Sequence, residues 1–286
     1  MAQQYKVTQE SALLAFLFLH LENWSKKSVK QRLQKAGILV NGEVQTKHDF
    51  ILSPNDVVSI RAVQHVGQHR AKTPPKLEIL YQDRDLIAIN KPAGLLSVGT
   101  TRENRQHALA LLRMQLTRGN NRVKLWPVHR LDRDTSGILL FATSKEMREA
   151  LMERWKDTEK TYLAIVEGNP KSEKGSIAQP LYMDEKTYYM HVGEHPKAKP
   201  AVTHYGVTRR TDTRSVLEVQ IETGRQHQIR AHMAWMGNPI IGDERYGTKG
   251  DRMGLHAYRI SMLHPVSKKA LKIEVDATQD FYQLIT

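Results

Sequence analysis

Cysteine is absent from the 286-residue chain, which excludes disulfides, thiolate metal sites, iron–sulfur clusters and cysteine nucleophiles and fits a reducing compartment. Long hydrophobic runs are lacking too. The longest strictly apolar stretch, residues 12–19, falls far short of a membrane span, and no charged-then-apolar signal segment opens the chain. Neither a Gly-x-Ser-x-Gly elbow nor a Gly-x-x-x-x-Gly-Lys-Ser/Thr loop occurs, which argues against a serine hydrolase of that type and a P-loop ATPase. His227 and His232 are five residues apart, with no Glu in the zinc-protease arrangement, so no metal site is expected. Acidic residues are in deficit: 30 Asp and Glu face 43 Lys and Arg, a net charge of +13. That excess suggests a polyanionic partner. A membrane surface is disfavoured, because the basic residues are dispersed and no amphipathic anchor helix stands apart. What remains is an ordinary globular composition, 40% hydrophobic and 26% charged, long enough for one large domain or one large and one small.

The chain divides at a stretch poor in large apolar residues that ends in Pro74-Pro75. It reads as a linker over 63–75, between a small unit, 1–62, and a large one, 76–286. Up to residue 72 the net charge is +5, which leaves +8 on a remainder about three times longer. In the small unit, Ser11 is placed to cap a buried helix running through Leu21. A second helix is expected over 28–36, stopped by Gly37. Val29, Leu33 and Ala36 fall on one face of it, while Lys27, Lys30, Arg32 and Lys35 lie outside that face. Asn41-Gly42, between two short apolar segments, signals a hairpin, and Lys47 follows it. Helix, basic helix, glycine and Val-Asn-Gly hairpin together resemble the alpha-L RNA-binding domain of a ribosomal small-subunit protein and many RNA-modifying enzymes. The resemblance implies an RNA face built from Lys26, Lys27, Lys30, Arg32, Lys35 and Lys47. A plain solvated basic face is the alternative. Ser53-Pro54-Asn55-Asp56 departs from that family's usual Gly-Asp turn.

The large unit holds the chemistry. A strand is expected over 85–90, then the loop Lys91-Pro92-Ala93-Gly94. A dense polar loop, His129-Arg130-Leu131-Asp132-Arg133-Asp134-Thr135-Ser136-Gly137, leads into the apolar strand 138–142. Acids and bases at such a strand edge are fixed by the scaffold yet accessible, as catalytic groups often are. A structural Asp–Arg turn is the plainer reading. Ser144 can cap a helix with Met147, Leu151 and Trp155 inward. Residues 160–168 read as a strand ending at a glycine. Residues 223–232 read as a capped helix with Ile229, Met233 and Met236 inward and Gly237 at its end; Arg225 and Gln226 at its start suit a phosphate or carboxylate.

His129-Arg130-Leu131-Asp132 with Thr135-Ser136-Gly137 resembles the signature loop of the RluA-type RNA pseudouridine synthases. Lys91-Pro92-Ala93-Gly94, Lys160-Thr161-Tyr162, Thr223-Gly224-Arg225-Gln226-His227-Gln228-Ile229-Arg230, Pro239-Ile240-Ile241-Gly242-Asp243 and Leu255-His256-Ala257 follow in the family's order. Leu96-Ser97-Val98-Gly99 departs from it where many members carry a His-Pro pair. The resemblance implies an α+β protein, with a mixed, mostly antiparallel catalytic sheet behind a small N-terminal α/β RNA-binding domain. It implies uridine-to-pseudouridine isomerisation in structured RNA, ribosomal RNA before transfer RNA, in the cytoplasm, with no cofactor and no obligate protein partner. By the same token Asp132 is the catalytic carboxylate, as nucleophile or base. Arg230 is its charge-assisted partner, Tyr162 stacks on the extruded uracil, and Arg130 fills the helix space the base has left. A catalytically silent RNA-binding or assembly factor on the same fold is the alternative; RNA binding alone has no need of a carboxylate at this place.

Overall fold

The computed structural model describes residues 3–22, 24–34, 37–60, 76–100, 106–117 and 123–286. The chain separates into two compact units, Met1–Thr73 and Pro74–Thr286. The expected linker, 63–75, lies outside the described residues.

In the small unit, β1 (Gln3–Lys6), β2 (Ser11–Ala12), α1 (Leu13–His20), α2 (Lys26–Gln34), β3 (Ile38–Val40), β4 (Glu43–Val44), β5 (Ile51–Leu52) and β6 (Val57–Ile60) follow in order. A four-stranded antiparallel sheet, β1-β6-β3-β4, carries one core with Leu13, Leu17, Val29, Leu33, Ile38 and Val58 at its centre. The expected cap at Ser11 is wrong. Ser11 starts β2, its hydroxyl caps nothing, and the N–H groups of Leu13 and Leu14 bond instead to the carbonyls of Phe50 and His48 at 2.8 and 3.1 Å. Backbone carbonyls satisfy helix-end donors as well as a hydroxyl does. The second helix starts earlier than expected, because Ser25 Oγ accepts from Ser28 N at 3.1 Å and Val29 N bonds to the Ser25 carbonyl. Asn41 (φ 53°) and Gly42 (φ 90°) make the left-handed pair that a two-residue hairpin needs. Asp56 accepts from Asn41 Nδ2 and Ser53 N, both at 2.8 Å, and these bonds hold its pKa below the usual carboxylate value. The turn that departs from the alpha-L pattern is thus tied to the hairpin.

The large unit contains β7 (Glu78–Gln82), β8 (Leu86–Lys91), α3 (Ala108–Leu116), β9 (Trp126–Pro127), β10 (Ser136–Ala142), α4 (Lys145–Glu153), β11 (Glu159–Glu167), β12 (Lys174–Ile177), β13 (Leu181–Asp184), β14 (Tyr189–Val192), β15 (Thr203–Arg210), β16 (Arg214–Ile221), α5 (Gln228–Trp235), β17 (Leu255–Leu263), β18 (Ala270–Glu274) and α6 (Gln279–Tyr282). Its sheet runs β12-β15-β16-β11-β17-β10-β8-β7, with β18 on β17 and β9 on β10. Only β10 and β17 run parallel, paired at Ser136–His256 and Gly137–Ala257; the other pairings are antiparallel. The fold is α+β, mixed and mostly antiparallel, as expected.

Strand β10 is buried throughout because helices cover both of its faces, so its sequence is an unbroken apolar run rather than an alternation. Leu139 and Phe141 pack with Ile87, Ile89 and α3 residues Leu109 and Leu112. Ile138 and Leu140 pack on the opposite face with Met147 and Leu151 of α4, a helix capped by Ser144 Oγ accepting from Met147 N at 3.0 Å. On β11, Ala164 and Val166 meet Ile229 and Met233 of α5, while Leu163 and Ile165 meet Phe281 of α6. Tyr162 touches both the α3 and the α5 clusters, which puts it where those two cores meet. Gly137 closes the parallel crossing: φ is +107°, and a Cβ there would lie 2.2 Å from the Ala257 carbonyl oxygen.

Candidate active site

The polar loop that enters β10 is held along its length. Val128 N bonds to Leu140 O at 3.0 Å, and Leu140 N donates to His129 Nε2 at 3.2 Å. Burial pushes the His129 pKa down to about 4, so the imidazole is neutral and its Nε2 is free to accept. Ser97 grips Leu131 twice: its hydroxyl donates to the Leu131 carbonyl at 2.7 Å and accepts from Leu131 N at 3.0 Å. Beneath the loop lies Lys91, fully buried, with Nζ donating to the carbonyls of Pro92, Leu95 and Arg133 at 3.0, 2.8 and 3.0 Å. Burial lowers the Lys91 pKa to about 7, against the pull of Asp134 and Asp132. Three ammonium hydrogens meet three carbonyls, so one side chain ties the Lys-Pro-Ala-Gly turn to the loop of Asp132.

Asp132 is thereby presented at a wall common to two cavities, of about 1180 and about 520 Å³. Arg230 Nη1 donates to Asp132 Oδ2 at 2.9 Å. Its other edge is bidentate on Asp243, with Nε to Oδ2 at 2.7 Å and Nη2 to Oδ1 at 2.8 Å. Asp243 is itself buried and accepts from Arg245 N and Tyr246 N. Burial opposes the charge on Arg230, but the bonds and charge of Asp243, together with Asp132, outweigh it and raise the pKa. Such planar, charge-assisted bonds fix direction as well as distance. One guanidinium serving two carboxylates leaves this cluster with net negative charge.

The start of α5 differs from expectation. Residues 223–227 form a turn, and the helix begins only at Gln228, because His227 sits in the left-handed region at φ 52°. The buried Gln228 amide organises that turn: its Oε1 accepts from Thr223 Oγ1 at 2.8 Å and Arg225 N at 3.0 Å. As a result His227 leaves the helix and brings Nε2 to 3.8 Å from Asp132 Oδ2, while Nδ1 shares a hydrogen with the Tyr246 hydroxyl at 2.9 Å. Burial lowers the His227 pKa despite Asp132.

The structure brings Asp132, Arg230 and Tyr162 to one cavity. Burial first, then the charge of Asp132, raises the Tyr162 pKa, so its hydroxyl stays protonated. Arg130 is exposed and lines both cavities. Asp134 pairs with Arg133 at 3.0 Å near the surface. The sequence reading left Lys91, Ser97, His227, Asp243 and Tyr246 without roles. Four of them fall in or beside matched motifs, which is the signal that could have found them; Ser97 occupies the one departure.

In the small unit, Lys26, Lys27, Lys30 and Lys47 are exposed, and none enters a salt bridge among the described residues. Arg32 is half-buried with its guanidinium over the Trp24 ring, 5.5 Å from the centroid. Lys35 lies outside the described residues. Among those residues one group has metal-ligand spacing, Asp83, Asp85 and His264. There Asp83 already accepts from Tyr81 Oη, Asp85 N and Leu86 N and lies 3.0 Å from His264 Nε2, so its oxygens are engaged within the fold. No helix among the described residues is long and apolar enough to cross a membrane.

Residues 85–235 match the family model described as RNA pseudouridylate synthase. The chain belongs to that family. It is 30% identical over 94% of its length to the Bacillus subtilis RNA pseudouridine synthase YlyB, covering 91% of that protein. It is also 30% identical over 92% of its length to an Escherichia coli protein, ribosomal large subunit pseudouridine synthase D, covering 86% of it. Among solved structures, human RNA Pseudouridylate Synthase Domain Containing 4 superimposes with a TM-score of 0.61 at 24% identity, over 72% of this chain and 91% of that one, which speaks to the fold. The enzyme is thus an RNA pseudouridine synthase, an isomerase; Asp132, Tyr162 and Arg230 lie within the stretch that the family model matches, and Asp243 lies beyond it.

Proposed function

We propose that this synthase converts uridine to pseudouridine in structured ribosomal RNA, in the cytoplasm, with Asp132 as its catalytic group. The E. coli relative is named for the ribosomal large subunit, and a charge of +13 suits a highly folded polyanion. The assignment of Asp132 rests on one observation: a half-buried carboxylate at a cavity wall is bound by a largely covered arginine that is itself bound by a buried carboxylate, beside Tyr162.

The reaction breaks the bond between N1 of uracil and C1′ of ribose, turns the base, and joins C5 to C1′. The proton on C5 is lost and N1 gains one, so composition and oxidation state are conserved. A target within a helix must first leave its stack. Asp132 acts on the extruded nucleotide as nucleophile or base, while Arg230 fixes the direction of its lone pairs. Tyr162 stacks on the uracil, and Arg130, exposed beside Asp132, occupies the vacated helix space. Pseudouridine mapping of total RNA from cells with and without the gene tests the reading. Loss of a ribosomal site supports it, and loss confined to transfer RNA moves the substrate. No change at any site leaves a silent RNA-binding factor.

A further inference from the structure

Several cations around the two cavities that share Asp132 are already paired within the fold, Arg230 above all, and others are not. Around the larger one, Arg133, Lys249 and Arg252 each pair with a carboxylate of their own, Asp134, Glu244 and Asp280, while Arg245 is held by the carbonyls of Thr187 and Tyr188. Around the smaller one, Arg130, Arg148, Lys160 and Arg225 have no carboxylate partner among the described residues. Lys160 is the telling member. It is 7% exposed, and its Nζ makes one long hydrogen bond, 3.4 Å to the Trp155 carbonyl, with a ring contact to Trp155 at 5.5 Å. Burial lowers its pKa with no carboxylate offsetting it. A buried ammonium with two unused hydrogens is costly, and its strand position, two residues before Tyr162, turns it to the same face. Arg148 and Arg225 are pinned by Nε to the carbonyls of Pro127 and Pro200 at 3.1 and 3.0 Å. Their terminal nitrogens have no other protein acceptor among the described residues.

We infer that Lys160, with Arg148 and Arg225, forms a phosphate subsite that seats the RNA backbone next to the nucleotide stacked on Tyr162. The inference rests on the RNA-acting reading above. RNA then supplies the charge partner that the folded chain withholds, and an anion arriving there fixes the target's position before any chemistry.

The test is a double-substitution cycle on the full chain. The probe is a uridine-containing oligoribonucleotide in which one backbone phosphate at a time is replaced by an uncharged methylphosphonate. One neutral linkage should weaken binding to the parent protein about tenfold. Lys160→Met should weaken binding to the unmodified RNA similarly, and the two changes together should do no more than either alone. The thermal midpoint of Lys160→Met should stay level or rise, because a buried charge has been removed. Losses that multiply at every linkage would overturn the subsite, as would a fall in midpoint accompanying the loss of affinity. Arg148→Gln, at a half-buried position, should couple to the same linkage and keeps the test decisive if Lys160→Met does not fold. Coupling in a protein that modifies no RNA would retain the subsite and discard the proposed function. An active protein without coupling would discard the subsite alone.

Discussion

The basic helix of the small unit and the Asp132 pocket of the large one use charge in opposite ways. Lys26, Lys27, Lys30 and Lys47 stand in water without carboxylate partners among the described residues, where an ion pair is worth little and salt screens each charge. Arg230 is largely covered, and its guanidinium bonds two carboxylates at 2.7–2.9 Å. Solvated charge sets affinity for a polyanion and responds to salt. Buried, bonded charge sets the direction of one lone pair and responds to substitution instead. Removing a residue from each region should therefore move different measurements.

The largest effect is expected at the pocket. Asp132→Asn keeps the shape and loses the carboxylate, so turnover should vanish while RNA affinity changes no more than severalfold. Product in a single-turnover assay near the parent rate would remove Asp132 from catalysis. Asp134→Asn, which breaks only a surface pair, should leave measurable activity. Next comes Arg230→Ala, which leaves Asp243 buried without its cation; the rate should fall by about 10²–10³ or more. Tyr162→Phe keeps the stacking face, so RNA binding should survive even where the rate drops. Equal weakening of binding by these two changes would erase the division between regions.

Lys91 sharpens the comparison because it is a buried charge away from the reacting face. Its folded pKa is about 7 against an ordinary 10.5. Between those values the unfolded chain binds the extra proton, so the Lys91 contribution to stability rises with pH from about 7 to about 10.5. Denaturant midpoints of the parent and Lys91→Met across that range should show the rise in the parent and a flatter profile in the variant. The same slope in both would mean that Lys91 does not titrate there.

Legibility in the sequence followed the same line. Local signals worked where local physics decides: the apolar run of β10, the Asn41-Gly42 turn, the Ser144 cap. They failed where distant backbone decides. Ser11 has the residue type of a cap, but Phe50 and His48 carbonyls already occupy the helix end. Thr223 has it too, yet the Gln228 side chain bends residues 223–227 into a turn. The motifs named the strips that hold Asp132 and Arg230. Nothing periodic links Asp132 to Asp243, or Ser97 to Leu131 34 positions later. Such contacts exist only once the strands have paired, β8 with β10 for Ser97 and Leu131.

The smallest effect, and the one that most directly tests the other half of the comparison, lies on the small unit. If Lys27 and Lys30 meet RNA phosphates, each releases a condensed counterion on binding. The slope of log affinity against log salt should then lessen by about 0.7–0.9 for each charge removed. The double variant Lys27→Gln/Lys30→Gln should show that change in a filter-binding series, with little change in the single-turnover rate at saturating enzyme, because neither side chain belongs to the unit that holds Asp132. Val29→Ala, which hollows the buried face of the same helix, controls for simple loss of fold: it should lower the thermal midpoint and leave the slope of the folded fraction intact. An unchanged slope in the double variant would make this face a solvated one, and the charge that recruits RNA would then have to lie elsewhere, with the unpaired cations around Tyr162 as the next place to remove it.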